Sequence, residues 1–160
     1  MGKGSKILVI DKEPEFIEVA RKAAELSSWQ LITASGKEEG FKKALKEKPD
    51  LIILGYLEPR GSSFALHKEL RKEPLTQNIP LLVVDVRPEE HSRKGWRKGE
   101  GLQMDAEDYI SRPVEPAELQ EIVKRIMQRT LVKALEPEEV LEHMEEALKR
   151  IDKIEETLVK

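Results

Sequence analysis

Four short segments gather the residues whose types suit chemistry. Asp11-Lys12-Glu13-Pro14 follows the apolar run Ile7 to Ile10, and Gly55-Tyr56-Leu57-Glu58-Pro59 follows Leu51 to Leu54. Asp85-Val86 closes the run Ile79 to Val84, and Ser111-Arg112-Pro113 follows Asp108-Tyr109-Ile110. Two acids, Asp11 and Asp85, and two bases, Lys12 and Arg112, thus stand at the ends of strand-like runs. Opposite charges within about 4–6 Å favour each other's charged forms, so four such groups in one cleft form an ion-pair network. The alternative for the same four residues is a site for a small ligand or ion. As a metal site the set is thin, since two carboxylates fill only part of a hard-cation shell. No metal and no cofactor is expected. The chain has no cysteine, which excludes disulfides, thiolate metal ligation and a cysteine nucleophile.

The remaining candidates are weaker. His67 lies within a helical pattern and His91 in a basic loop, and both are expected on the surface. His143 stands in Leu-Glu-His-Met-Glu-Glu, with nothing around it that suggests a phosphoacceptor. Arg87, Arg93, Lys94, Arg97 and Lys98 cluster with Trp96, a composition able to grip nucleic acid. Glu89, Glu90 and Glu100 dilute that charge, so a solvated loop or a partner surface is expected there.

The elements that must position these residues alternate. Ile7–Ile10, Leu51–Leu54 and Ile79–Val84 are continuously apolar, the mark of parallel strands buried on both faces. Trp29–Ala34 and Asp108–Ile110 add two further strands. Between them, Glu15–Leu26, Gly36–Lys48 and Ser62–Lys72 carry apolar residues at three- and four-residue spacing, as helices do. Arg87–Gly101 is polar and glycine-bearing, with room for one short helix flanked by loops. Pro116 to about Leu135 is a long amphipathic helix, with proline in its first turn. Five strands with crossovers of this length predict a right-handed, doubly wound parallel sheet, an α/β fold over residues 5–130.

Residues 131–160 read as a helical extension. Leu141, Met144, Leu148, Ile151 and Leu158 form an apolar seam of about three heptads, expected to pack on the domain or to pair with a second chain. Its polar face has an acidic excess, which argues against membrane-surface binding.

The 160 residues include 28 Lys+Arg and 31 Asp+Glu, a net charge of -3 that argues against a strongly basic nucleic-acid binder. The apolar runs are too short to span a bilayer. No nucleic-acid or membrane partner is expected, no signal peptide is read at the start, and the expected compartment is the cytoplasm.

The strand endings taken together resemble the receiver domain of two-component response regulators, a five-stranded flavodoxin-like fold. The resemblance covers about 120 residues. It rests on Lys6–Pro14, on Pro49-Asp50-Leu51-Ile52-Ile53-Leu54 with Leu57-Glu58-Pro59, and on Asp108-Tyr109-Ile110-Ser111-Arg112-Pro113 through Leu119. It implies an acidic pair that binds a divalent metal, and here Asp11 is followed by Lys12, an ammonium that repels one. It implies a phosphoacceptor aspartate at the end of the third strand, where Gly55 stands. The implied hydroxyl after the fourth strand is Asp85, and the implied lysine before a proline is Arg112, ahead of Pro113. Tyr109 falls at the family's aromatic switch position and is expected to be static. The expectation is a degenerate receiver, outside the family's phosphorelay and without catalytic residues. It would act as a phosphorylation-independent interaction module that binds a signalling protein, or itself as a dimer.

Overall fold

The computed structural model describes residues 4–133 and, beyond them, Glu145, Leu148, Lys149 and Ile151. The chain divides into two compact units, Met1–Ile126 and Met127–Lys160. In the first unit five parallel strands form one sheet: β1 Lys6–Ile10, β2 Gln30–Ala34, β3 Leu51–Leu54, β4 Leu81–Asp85 and β5 Asp108–Ser111. Their order is β2-β1-β3-β4-β5. From β1 the chain steps one way to β2 and the other way to β3. The crevice of such a sheet opens at this reversal, beyond the carboxyl ends of β1 and β3.

The helices are α1 Pro14–Ser27, α2 Lys37–Glu47, α3 Ser62–Lys72, α4 His91–Lys94, α5 Lys98–Leu102 and α6 Pro116–Lys133, with a 3-10 turn at Pro88–Glu90. Pro14 starts α1 where a missing N–H is harmless, and Ser28, in the left-handed region at φ 60°, ends it. The Arg87–Gly101 segment thus holds two short helices and a 3-10 turn rather than the single helix expected. The fourth strand begins later than its apolar pattern suggested. Pro80 has no N–H for a ladder, and the Ile79 N–H turns back to the Thr76 carbonyl at 3.0 Å.

Every residue of β3 and the apolar residues of β1 from Ile7 to Ile10 are fully buried. Alternate side chains serve opposite faces. Leu8, Ile10, Ile52, Leu54, Leu81 and Val83 share one cluster with Ala44 of α2 and Leu66 and Leu70 of α3. Ile7, Val9, Leu51, Ile53, Leu82 and Val84 face the other way, the side left to the buried residues of α1 (Phe16, Ala20, Ala23) and α6 (Leu119, Val123, Ile126).

His67 is corrected from surface to interior. It is 3% exposed and lies against Phe64 and Trp96. In the second unit, Leu148 and Ile151 are helical and exposed. The other seam residues, Leu141, Met144 and Leu158, lie outside the described residues, as does His143. Among the described residues, no helix is long and apolar enough to cross a membrane.

β3 is buried on both faces, so truncating one of its side chains opens a cavity in the core. Ile53→Ala is expected to lower the unfolding free energy by about 2–5 kcal/mol. Lys46→Ala, on the exposed side of α2, should change it by no more than about 0.5 kcal/mol. Urea denaturation of the two variants measures both.

Candidate functional site

The carboxyl ends of β1, β3, β4 and β5 meet around one guanidinium. Arg112 follows β5 and is 3% exposed. Its Nη2 donates to Asp11 Oδ2 at 2.6 Å and to the Val84 carbonyl at 3.0 Å. Its Nη1 donates to Asp11 Oδ1 at 3.4 Å and to Glu13 Oε1 at 2.8 Å. Its Nε donates to the Asp85 carbonyl at 3.1 Å. An arginine has five N–H donors, and each is used here. The guanidinium carbon also lies 4.6 Å from the centre of the Phe16 ring, a cation–π distance.

Asp11 is equally saturated. It is 1% exposed. Its Oδ1 also accepts the Glu13 N–H at 2.7 Å, and its Oδ2 accepts the Tyr56 N–H at 2.8 Å. Removing a carboxylate and a guanidinium from water costs several kcal/mol each, and only close pairing with full hydrogen bonding offsets it. This pair meets both conditions.

Gly55 is what lets the pair close. A Cβ on Gly55 would fall 1.8 Å from Asp11 Oδ2 and 3.0 Å from Arg112 Nη2. The first distance is far inside contact, so no side chain fits while Asp11 and Arg112 keep these positions. The Gly55 N–H donates to the Ile10 carbonyl at 2.8 Å, and its own carbonyl accepts the Ser63 hydroxyl at 2.6 Å. The backbone there has no slack to make room.

Asp85 belongs to a second, adjoining cluster. Its Oδ1 accepts the Val86 N–H at 2.8 Å. Its Oδ2 accepts the Tyr109 hydroxyl at 2.6 Å and the Trp96 N–H at 3.2 Å, with His91 Nε2 at 3.5 Å. Burial first, then the hydrogen bond and the charge of Asp85, push the Tyr109 hydroxyl far above its ordinary range, so it stays protonated and donating. Arg60, on the β3–α3 loop, ties that loop to the end of α4. It donates to the carbonyls of Gly95 and Ser92, both at 2.9 Å, and of His91 at 3.3 Å.

The four charges expected in one network are therefore divided. Asp11 and Arg112 pair directly. Asp85 meets Arg112 only through its backbone carbonyl, because its carboxylate turns toward Tyr109 and Trp96. Lys12 is exposed; its N–H donates to the Tyr56 carbonyl at 2.8 Å, and its side chain makes no ion pair among the described residues. Glu13, which is not among the four charges expected in the cleft, takes the place expected for Lys12. Pro113 is exposed and joined to Arg112 by a cis peptide bond. Among the described residues no group of three or more His, Asp or Glu is placed to hold a metal ion. Asp11 and Glu13 both face the guanidinium.

Residues 7–124 match the model of the response regulator receiver domain family, and the chain belongs to that family. It is 36% identical over 140 residues to the alkaline phosphatase synthesis transcriptional regulatory protein PhoP of Bacillus subtilis, covering 88% of this chain and 55% of that one. It is 31% identical over 127 residues to the phosphate regulon transcriptional regulatory protein PhoB of Pseudomonas aeruginosa, covering 79% of this chain and 53% of that one. The chain thus spans about half the length of these curated relatives. In fold it is similar to a CheY-like receiver domain protein from Methanospirillum hungatei, with a TM-score of 0.67 and 20% identity over 82% of this chain and 99% of that one. It is also similar to the receiver domain of the sensor histidine kinase PA1611 from Pseudomonas aeruginosa, solved with a magnesium ion coordinated in its active site cleft. There the TM-score is 0.65 and the identity 18%, over 78% of this chain and 98% of that one.

Removing one partner of the buried pair leaves the other charged and unpaired. Arg112→Ala is expected to lower the unfolding free energy by about 3–5 kcal/mol. Lys12→Ala should stay within about 0.5 kcal/mol, because its side chain is in water. Chemical denaturation of both variants separates the two roles.

Proposed function

We propose that this receiver domain has left phosphoryl transfer and acts as a phosphorylation-independent interaction module for a protein of a signalling pathway. The observation that carries this reading is the Asp11–Arg112 pair closing over Gly55. By the family resemblance, Gly55 stands where a phosphoacceptor aspartate belongs, and glycine offers no nucleophile. Asp11 stands where a metal ligand belongs, and its oxygens are already engaged by an internal cation. A receiver of the same fold holds magnesium in its cleft; in this chain a guanidinium meets the acid at the end of β1. Asp85 adds a negative charge beside the place a phosphoryl group would occupy, which opposes its entry. The domain is accordingly a binding partner in the cytoplasm rather than an enzyme, without nucleic acid or membrane as its target.

A small-ligand role for the cleft finds less support. Arg112 has no donor left, and Asp11 accepts two hydrogen bonds at each oxygen. A ligand would have to break the pair before meeting it.

Incubation with acetyl phosphate and magnesium is expected to leave the mass of the full chain unchanged. A hydroxylamine-labile gain of one phosphate overturns the proposal. Gly55→Asp alone should not restore labelling, since the new carboxylate would meet the Asp11–Arg112 pair.

The exposed leucine and isoleucine of the C-terminal unit support self-association as one form of the interaction. Leu148 and Ile151 are 58% and 50% exposed. An amphipathic helix gains most of its stability by burying its apolar seam. Light scattering of the full chain at tens of micromolar should report a dimer, and Leu148→Glu should give a monomer with an unchanged thermal transition of the sheet domain. A monomeric native chain removes the dimer from the proposal.

A further inference from the structure

His67 lies in α3 with its Nε2 accepting the Asp105 N–H at 2.8 Å. A nitrogen that accepts carries no proton, so the ring proton is on Nδ1. Nδ1 is buried and has no hydrogen-bond partner among the described residues. The ring stacks on Phe64 with centroids 5.8 Å apart and meets Trp96 edge-on at 5.6 Å. Asp105 belongs to the segment joining α5 to β5. Arg71 is that segment's second tie, its Nε donating to the Asp105 carbonyl at 2.9 Å and lying 3.5 Å from Asp105 Oδ2. The charged groups facing the imidazole are Arg71 and Lys68 of α3 and Asp105 of the segment itself.

We propose that His67 is a pH-sensitive latch on the α5–β5 segment: neutral, it accepts the Asp105 amide and holds the segment closed, and protonated, it releases it. The inference goes beyond the interaction role and does not depend on it.

The geometry bars proton uptake in place. A protonated ring would set an N–H against the Asp105 N–H and take away that amide's acceptor in the closed position. Its other N–H would stay unmatched between Phe64 and Trp96, where an aromatic face attracts a cation but replaces no acceptor. Burial, then Arg71, with a smaller part from Lys68, hold the closed-state imidazole below its ordinary range, while Asp105 acts the other way. In the open state the ring returns to an ordinary value of about 6.5. The open form therefore binds the extra proton. Its population is flat above about pH 6.5 and rises below it, by up to about tenfold per pH unit. The released segment leads directly into β5. Its Glu107 N–H donates to the Leu81 carbonyl at 2.8 Å, and Tyr109, two residues on, caps Asp85. Acid would thus loosen the entry to β5 while leaving the buried β3 closed.

The test follows the full native chain by NMR from about pH 7.5 to about pH 5. Nitrogen shifts of the His67 ring should show Nε2 unprotonated at neutral pH. Hydrogen-exchange protection of the Asp105 amide, corrected for the intrinsic pH dependence of exchange, should fall by about tenfold per unit below about pH 6.5. The amides of Val83 and Val84 should keep their protection. In His67→Gln, whose side-chain oxygen also accepts, Asp105 protection should not depend on pH. A proton on Nε2 at neutral pH, a flat Asp105 profile in the native chain, or an equal fall in the variant each overturns the latch. Where His67→Gln does not fold, the native chain alone decides: one shared midpoint for the ring transition and the amide opening supports the latch, and separate midpoints reject it.

Discussion

The buried ion pair of Asp11 and Arg112 is the constraint around which the functional end of this domain is arranged. Such a pair is tolerated only when nothing is left unsatisfied, and here five donors meet five acceptors drawn from two strand ends and one turn. That saturation explains features that otherwise look unrelated. It accounts for glycine at position 55, for Glu13 turning inward, and for the backbone carbonyls of Val84 and Asp85 pointing at a side chain that follows β5. Asp85, excluded from the guanidinium by its own carbonyl, is free to anchor Tyr109 and the Trp96 amide.

The sheet supplies the rigidity this arrangement needs. A parallel strand buried on both faces has no solvent side to relax toward, so the ends of β1, β3 and β4 are fixed relative to one another. The connecting loops are held from above by Arg60, which gathers three carbonyls at the end of α4. A one-turn helix such as α4 has little stability of its own, and its terminal carbonyls are groups that need an outside partner.

Much of the fold could be read because buried parallel strands write themselves as unbroken apolar runs. The weaker passages failed for physical reasons. Helices of four or five residues, as at His91–Lys94 and Lys98–Leu102, are too short to show a period. Glu13 rather than Lys12 joins the cleft because alternation stops at the end of a strand, and the turn before α1 sets side-chain direction by its own dihedral angles. That Glu13 joins Asp11 at Arg112 was therefore not available from spacing. His67 was available: it stands one residue from Leu66 and three from Leu70, both fully buried, on the inward stripe of α3. Position on that stripe outweighs the polarity of the imidazole in deciding its burial. The two clusters around Arg112 and Asp85 could not be told apart from sequence, since the distinction depends on which atom of Asp85, carbonyl or carboxylate, faces the arginine.

Gly55, Asp11 and Arg112 also impose an order on genetic change. A side chain at position 55 is excluded while the pair stands, and the loss of either charged partner strands the other in a dry interior. Every one-step exit from this state passes through an intermediate that is sterically or electrostatically penalised. Asp11 and Arg112 are 101 residues apart in the chain, so no local rearrangement can substitute for one of them. The arrangement behaves as a ratchet: a lineage that enters it needs several coordinated replacements to leave, and drift alone tends to keep it where it is.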